Sequence, residues 1–473
     1  MNQDDIKQKI EKVIEKCSDP EIYSNIIKDI FTIGIDKPGL FLNSLEILPN
    51  LNEKQLKKNF EANKKILCDF INQQKRDSIF YQIFSCIFGA FTGDAIGGFC
   101  EFMKYSKSNY KKIFKEMPVF QQLPGQITDD SEMAMCLAYA IMDNPKKETI
   151  DPNYIYFYYG SWAKSEPIDM GFTTENAFKD FDFVTFHPQF NNFKNVQNEI
   201  SKDNYNSLSN GFLMRKSTLI AWMYNRFFFQ INQAFDDTIN NNNNKYLIKL
   251  YEKIKEISHI DNIITHPNIE TDVVSAFYSI MVLGAIKLLE PQKIIKILLN
   301  LCNDNYFSQK GNVDLKLARN IIFYIEQFKN KKFDFYNYFG KEGSNNCVYK
   351  HMGWYEHALK LTLYFLVNFD NFKINDLYKN ILEQICNLGG DTDTNCCIVG
   401  TVIGPLIGLE NFGDYFKKVL DVIPRDRYIF SICIMAIYVK YLYNSNRNND
   451  ILNNECYFLK SVLTLLYGEI EID

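Results

Sequence analysis

The sequence predicts an all-α fold, and three observations support this prediction. Dense apolar segments recur along the chain, each long enough for a helix, and few of them alternate strictly between apolar and polar residues. The first 78 residues instead place apolar side chains at helical spacing, as at Ile6, Ile10, Val13 and Ile14. Glycines recur every fourth residue at 89–97, where the first apolar segment ends, and at 400–408. Several helices should therefore be apolar on every side and lie at the centre of the fold.

The composition changes near residue 78 and divides the chain into two predicted regions. Residues 1–78 are rich in Lys, Glu, Asp and Asn and are predicted to form a helical N-terminal appendage, with a break near Pro49. Residues 79–473 are predicted to form the main domain. Its apolar segments are 79–91, 132–142, 212–224, 271–289, 354–367, 394–407 and 429–442. An Asn-rich insertion is predicted near 236–246. Its unbroken Asn run at 240–244 and the Asn-rich link at 444–454 have nothing to bury and are predicted to be flexible loops.

Composition and charge exclude several classes of protein. The chain has 473 residues, of which 46% are hydrophobic and 23% charged, and this is ordinary globular usage. A net charge of -5 does not provide the basic surface that binds duplex nucleic acid. The N-terminus lacks a secretory pattern, and the longest apolar runs, such as 429–439, are judged too short to cross a membrane. We therefore expect a cytoplasmic protein, with the nucleus as the alternative location, and no membrane partner.

The cysteines agree with a reducing compartment. The chain contains 12 cysteines but no pair with two intervening residues, and Cys396 and Cys397 are adjacent. Most of the others lie in apolar segments, where a free thiol behaves as a small hydrophobic group. With five histidines and no Cys/His cluster, structural zinc is not expected.

The first motif with chemical content ends the first apolar helix. Gly89, Gly93 and Gly97 recur every four residues and would form a bare stripe on a helix. Close packing against another backbone is the simpler interpretation of that stripe. The acids Asp94 and Glu101 need a further explanation, because an unpaired buried carboxylate is costly.

The second motif lies directly before another apolar helix. Asp129, with Glu132 three residues later, resembles a capping box at a helix start. This structural interpretation accounts for one carboxylate. It leaves Asp130 and the Thr128 hydroxyl converging ahead of a buried helix.

The third motif is the segment Gly-Gly-Asp-Thr-Asp-Thr at 389–394, followed by a second glycine stripe. It places two carboxylates, Asp391 and Asp393, and two hydroxyls at the start of a buried helix. Hard oxygen ligands of this kind suit Mg²⁺ or Mn²⁺ and not zinc. A similar pattern occurs in haloacid-dehalogenase-type phosphatases, where it follows a buried strand. Here residues 382–388 are predicted to end a helix.

Two shorter motifs complete the set. Ser209, Asn210 and Gly211 precede an apolar helix, and such a turn can expose backbone N–H groups to an anion. Many helices begin this way without binding anything. His266 stands before Pro267, where a turn residue is the more common role by roughly two to one.

These segments, in this order, resemble the ADP-ribosylglycohydrolase family, which includes the dinitrogenase reductase-activating glycohydrolases and the ADP-ribosyl-acceptor hydrolases. The resemblance covers about residues 80–410. The matching segments are 93–97 with Glu101-Phe102, 128–130, 209–211 with Met214-Arg215, His266-Pro267, 353–359 and 389–394. Cys396 and Cys397 depart from the small residues that the family often has after the last motif.

The resemblance implies an orthogonal multi-helix bundle with two Mg²⁺ ions, or Mn²⁺ in their place, and an ADP-ribosylated protein as substrate. By motif match, the metal centre would consist of Thr128, Asp129, Asp130, Asp391, Asp393 and Thr394. The catalytic residues would be Glu101, Asp129 and Asp130. Ser209, Asn210, Gly211 and His266 fall in segments that hold ADP-ribose in the family.

The expected reaction is therefore hydrolysis of the glycosidic bond at ribose C1″. The rival hypothesis is an inactive member of the same fold that binds ADP-ribose or has a structural role. Such a protein is expected to lose at least one of Asp130, Asp391 or Asp393, and this chain keeps all three. The run at 128–133 is closer to the arginine-directed members than to the serine-directed ones, so arginine is favoured as the acceptor. The protein substrate and the oligomeric state are left open.

Overall fold

A computed structural model gives the fold, and it describes residues 3–33, 52–115, 117–145, 148–183, 186–189, 191–309, 311–372, 376–424, 427–445 and 457–467. Within these residues the regular structure is helical, and the prediction of an all-α fold is confirmed. The α-helices are α1 Gln3–Lys16, α2 Pro20–Thr32, α3 Glu53–Gln73, α4 Ile79–Gly97, α5 Asp129–Asp143, α6 Pro152–Ala163, α7 Phe172–Phe178, α8 Lys194–Asn204, α9 Lys216–Arg226, α10 Phe228–Asn241, α11 Lys245–Asn262, α12 Ile269–Ile286, α13 Pro291–Cys302, α14 Asn305–Ser308, α15 Asn312–Phe328, α16 Phe335–Phe339, α17 Tyr355–Val367, α18 Leu377–Leu388, α19 Thr392–Ile407, α20 Asp414–Asp421, α21 Met435–Ser445 and α22 Tyr457–Tyr467.

Helices α4 and α19 pack against each other at the centre of the molecule. Both are buried along nearly their whole length. Their glycine stripes face each other, so that a methyl group at Gly89 would overlap the carbonyl oxygen of Gly400. The simpler interpretation of the stripes, close backbone packing, is therefore correct, because only glycine permits this approach. The close packing also brings the C-terminal end of α4 beside the N-terminal end of α19.

The N-terminal helices α1–α3 pack onto the main body together with the C-terminal helix α22. The Asn59 side-chain amide donates to the carbonyl oxygen of Leu466 at 2.8 Å. The Tyr23 hydroxyl donates to Asp143 at 2.9 Å, and the same carboxylate accepts from the backbone N–H of Phe458 at 2.8 Å. Segments from the N-terminal and C-terminal parts of the chain thus meet at the C-terminal end of α5. The helices predicted within residues 1–78 are confirmed at α1–α3, and the predicted break near Pro49 lies outside the described residues.

Among the described residues, two helices are long and apolar enough to cross a membrane, although the sequence analysis judged the apolar runs too short. They are α4 and α12, and 89% of the apolar stretch of each is buried inside the fold. A core helix of this kind meets the same length and composition criteria.

At the Asn run 240–244 the predicted loop is limited to residues 242–244, and most of the predicted insertion near 236–246 is helical instead. Helix α10 continues to Asn241 and α11 begins at Lys245. Asn242 adopts a left-handed conformation with φ of 51° and closes α10, a role that asparagine tolerates well. The second stretch, at 444–454, lies outside the described residues from 446 onward.

Candidate metal centre and active site

An open cleft of about 260 Å³ lies where α4, α5 and α19 converge. Its floor is acidic, and its upper edge carries partly exposed apolar side chains. The lining residues are Glu101, Phe102, Asp129, Asp169, Gly171, Phe172, Thr173, Thr174, Ser209, Asn210, Gly211, Met214, Met352, Gly353, Asp391, Asp393 and Thr394.

Backbone pairing fixes Glu101 beside the motif at 389–394. The Phe102 N–H donates to the Gly390 carbonyl at 2.8 Å, and the Gly390 N–H donates to the Met103 carbonyl at 2.9 Å. Gly389 has a φ of 72°, and a side chain there would overlap the Met103 carbonyl. Glycine is therefore required for this approach. The pairing holds the Glu101 side chain against Asp391 and Asp393.

Asp94 organises the start of α5 from a neighbouring helix. Its carboxylate accepts from the Thr128 hydroxyl at 2.7 Å and from the backbone N–H groups of Thr128 and Ser131 at 3.0 and 3.2 Å. The N-cap is Thr128 and not Asp129, so the capping box predicted at Asp129 and Glu132 is wrong. Because Asp94 satisfies these donors, Asp129 and Asp130 are free to face the centre.

Two groups of three carboxylates form the acidic floor, and they share one residue. Glu101, Asp391 and Asp393 form one group, and Asp129, Asp130 and Asp393 form the other. Within each group, one carboxylate oxygen from each residue lies within 4.8 Å of the other two. Asp393 thus joins the motif at the end of α4 to the motif at the start of α5.

Burial and mutual repulsion perturb these acids strongly. Burial, followed by the charge of Asp391, raises the pKa of Glu101 to about 10. Burial also raises the pKa of Asp129, Asp130 and Asp393 well above the ordinary aspartate range. So many acids gathered in a poorly solvated place need either protons or cations.

The acidic floor is chemically suited to a hard divalent cation. The donors are carboxylate oxygens, the ligand type that Mg²⁺ and Mn²⁺ prefer. Among the described residues, Glu101 Oε2 and Asp130 Oδ1 are buried without a hydrogen-bond partner. A buried oxygen without a donor is costly, and a cation would satisfy it. The Thr394 hydroxyl lies 3.3 Å from Asp130 Oδ2 and adds a further oxygen at the same place.

Asp169 is a site residue that the sequence motifs did not indicate. It lies on the loop between α6 and α7 and lines the cleft. Its carboxylate raises the pKa of Glu101 and of Asp129, after burial and, for Glu101, after Asp391. No periodic segment or glycine series marks this loop, so only the folded structure places Asp169 beside the acids.

The segment 209–211 forms one wall of the cleft and is tied to the acidic floor. The Asn210 amide donates to Asp391 Oδ2 at 2.7 Å, and the Asn210 N–H donates to the Gly353 carbonyl at 2.7 Å. The segment is a short 3₁₀ turn, Asn210–Phe212, and α9 begins only at Lys216. The Asn210 N–H is therefore already paired, unlike the free helix-start group expected from the sequence.

His266 lies behind Ser209, away from the cleft surface. Its Nε2 is 2.7 Å from the Ser209 hydroxyl and its Nδ1 is 2.8 Å from the Thr265 hydroxyl. Burial, followed by the charge of Arg215, lowers the pKa of His266 well below its ordinary value. A neutral imidazole with both nitrogens on hydroxyl groups orients the Ser209 side chain.

The structure brings the predicted residues to one place from distant parts of the chain. Glu101, Asp129, Asp391, Asp393, Thr394 and the segment 209–211 line the cleft. Thr128, Asp130 and His266 are fully buried directly behind them. The strand that a haloacid-dehalogenase-type phosphatase requires before Asp391 is absent from the described residues, where the helix α18 precedes it.

In the part of the chain that the structure describes, central helices thus gather carboxylates that could hold a metal ion at an open cleft. The sequence pattern of the family described as ADP-ribosylglycohydrolase matches residues 75–428. The chain belongs to this family, and it is a glycosidic-bond hydrolase that acts on conjugates of ADP-ribose.

Two proteins of similar sequence have names of the same family. A protein of Acanthamoeba polyphaga mimivirus named as an ADP-ribosyl glycohydrolase is 26% identical over 354 residues, which are 73% of this chain and 92% of the viral protein. The ADP-ribosyl-[dinitrogen reductase] glycohydrolase of Rhodospirillum rubrum is 34% identical over 97 residues, which are 20% of this chain and 32% of that enzyme. A solved structure described as an ADP-ribosylglycohydrolase-related protein complex has a TM-score of 0.47 and 15% identity, and the similarity covers 78% of this chain and 99% of that one.

Proposed function

We propose that this hydrolase binds two Mg²⁺ ions and removes ADP-ribose from modified arginine side chains of proteins, in the cytosol or the nucleus. One observation carries the proposal of two ions: the two carboxylate groups that share Asp393. Mn²⁺ is the alternative ion, because it accepts the same oxygen ligands.

We assign the metal ligands to the residues of the acidic floor. Asp129, Asp130, Asp391 and Asp393 would supply carboxylate oxygens, and the Thr128 and Thr394 hydroxyls lie close to Asp130. The ions, when bound, supply positive charge that orients the ribose hydroxyls and makes water more acidic. Asn210 keeps Asp391 in position through its 2.7 Å hydrogen bond.

We assign proton transfer to Glu101. Its Oε2 is buried without a hydrogen-bond partner, and the carboxyl lies in one group with Asp391 and Asp393. Cleavage at C1″ leaves electrons on the acceptor nitrogen or oxygen, which must take up a proton. Because Glu101 lines the cleft, its carboxyl can deliver that proton.

We assign the binding of ADP-ribose to the wall that faces the acids. Ser209, Asn210 and Gly211 line the cleft, and His266 supports the Ser209 hydroxyl from behind. The loop residues Gly171–Thr174 form the wall beside them. These small and hydroxyl-bearing residues can approach the phosphate and ribose oxygens closely.

The preference for arginine rests on the motif at 128–133 alone, and a direct assay tests it. Proteins carrying ADP-ribose on arginine, and peptides carrying it on serine, are incubated with Mg²⁺ or with a chelator, and free ADP-ribose is measured. We expect release from the arginine-linked substrate only, and only with Mg²⁺. Release from serine alone would overturn the acceptor preference but not the hydrolase. Tight binding of ADP-ribose without release from either would favour the inactive rival.

A further inference from the structure

A loop that contacts a residue of the cleft has several exposed apolar side chains. The loop comprises residues 117–126, and no charged residue occurs from Met117 to Thr128. Met117, Val119 and Leu123 are exposed to 78%, 60% and 49%. Exposed apolar side chains grouped together on a soluble domain commonly mark a binding surface.

Aromatic contact joins this loop to the cleft. The ring of Phe120 packs edge-on against Phe102 with 5.9 Å between centroids, and Phe102 itself lines the cleft. Phe102 has a φ of 60°, a left-handed conformation that a bulky residue rarely adopts. Its backbone N–H is fixed by Gly390. The apolar surface is therefore continuous with the mouth of the site.

Backbone hydrogen bonds and close packing hold the loop in one conformation. Gln121 N–H donates to the Pro118 carbonyl at 3.0 Å, and Gln126 N–H donates to the Leu123 carbonyl at 2.8 Å, so two consecutive turns form. Gly125, with φ of 94°, lies so close to α20 that a Cβ atom there would be 2.5 Å from the Lys418 carbonyl. The apolar side chains are thus presented to solvent by a preformed framework, which lowers the entropy cost of binding.

We propose that loop 117–126 binds the polypeptide of the substrate, at apolar residues that flank the ADP-ribosylated side chain. This assignment rests on the proposed function. With the bond to be cleaved at the acidic floor, the polypeptide that carries the acceptor side chain would lie at the mouth, where Phe102 contacts Phe120 of the loop. A loop without charged residues from 117 to 126 that exposes Met, Val and Leu side chains matches apolar neighbours of the modified residue.

The proposal is tested by comparing a small substrate without polypeptide with peptide substrates. The probes are free ADP-ribosylarginine and two arginine-ADP-ribosylated peptides of equal length, one with Leu and Val beside the modified residue and one with Ser and Gly. The variant carries Val119→Ser and Leu123→Ser, two exposed positions that leave the core unchanged. The matched control is Phe229→Ser, since Phe229 is 81% exposed and does not line the cleft.

We expect the double variant to raise KM about tenfold for the apolar-flanked peptide, equivalent to roughly 1.4 kcal/mol of binding. The turnover number for that peptide should be unchanged. The double variant should also keep the kcat and KM of the unchanged protein for free ADP-ribosylarginine and for the Ser/Gly peptide. Phe229→Ser should keep these constants for all three probes. An equal rise in KM for free ADP-ribosylarginine and for the apolar-flanked peptide would overturn the assignment, because the loop would then only support the structure of the cleft. An unchanged KM for the apolar peptide would also overturn it.

Two further outcomes are distinguishable from these. A dimer of the unchanged protein in sedimentation that becomes a monomer in the double variant would make a second copy of the chain the occupant and overturn the assignment to substrate. No release from any probe by the unchanged protein with Mg²⁺ would contradict the proposed function, and the docking assignment would fall with it.

Discussion

Replacing Asp393 by Asn should have opposite effects on the metal-free and the metal-bound protein. Asp393 belongs to both carboxylate groups, so its loss removes one ligand charge from each. Removal of the same charge also relieves repulsion in the absence of cations. Asn preserves the shape of the side chain, and the change is therefore mainly one of charge.

The magnitude follows from the distances. Two unit charges at the 4.8 Å limit of each group repel by about 3 kcal/mol at an effective dielectric constant near 20. Burial raises the pKa of Asp393, so part of the metal-free population already carries a proton and part of this repulsion is absent. We expect the metal-free variant to gain roughly 1 to 2 kcal/mol of stability relative to the unchanged protein. Its affinity for Mg²⁺ should fall at least about a hundredfold. Replacing a residue that only hydrogen-bonds to a metal ligand already lowers metal affinity about 10- to 100-fold.

The assay is thermal unfolding in a chelator and across a millimolar range of Mg²⁺. The unchanged protein should melt several degrees higher with Mg²⁺, because a ligand of the folded state stabilises it. The Asp393→Asn protein should melt higher than the unchanged protein in chelator and respond weakly to Mg²⁺. Asp414→Asn is the matched control, because the Asp414 side chain is 87% exposed and loses the same charge at the surface. A metal-free variant that is less stable than the unchanged protein, with an undiminished response to Mg²⁺, would refute the electrostatic argument.

Three further predictions test the roles of other residues. Glu101→Gln should reduce turnover more than ADP-ribose affinity, because the amide cannot transfer a proton; equal losses in kinetics and calorimetry would make Glu101 a binding residue. The metal-free protein should lose stability as pH rises from about 4.5, the ordinary pKa of a glutamate, towards about 10, the pKa of Glu101 in the folded state, because only the folded state holds that proton tightly. Unfolding in chelator at pH 5 and about pH 8 measures this change. A stability that rises with pH would contradict the prediction. A chain beginning at Arg76 should keep hydrolase activity if it folds, although it exposes the surface that α3 covers; a folded but inactive truncation would show that residues before Arg76 complete the site.

Local patterns predicted the acidic floor because its parts lie at helix ends. Gly-Gly-Asp-Thr-Asp-Thr and Thr-Asp-Asp each stand before an apolar helix, and the two glycine stripes predicted close helix contact. These features depend on neighbours along the chain, which a single sequence displays. The convergence of the acids then follows from the packing of α4 against α19.

The contacts that escaped prediction join residues far apart in sequence. Arg427 donates twice to Glu132, at 3.0 and 2.8 Å across 295 positions, and the pair is almost fully buried. Asp94 replaces the local cap expected at the start of α5. Asp169 stands on a loop without periodicity. Such pairings depend on which elements meet in space, and composition and spacing do not carry that information.

The joint packing of the two ends of the chain has a consequence for synthesis on the ribosome. Asn59 and its acceptor Leu466 are 407 positions apart, so α3 leaves the ribosome long before its partner exists. At about 5 to 20 residues per second, the wait is roughly 20 to 80 seconds. During that interval Leu56 and Phe60, which lie beside Leu465 and Leu466 in the finished fold, have no α22 to cover them. The apolar face of α3 therefore lacks its partner helix during most of translation, and holdase chaperones are suited to cover such a face.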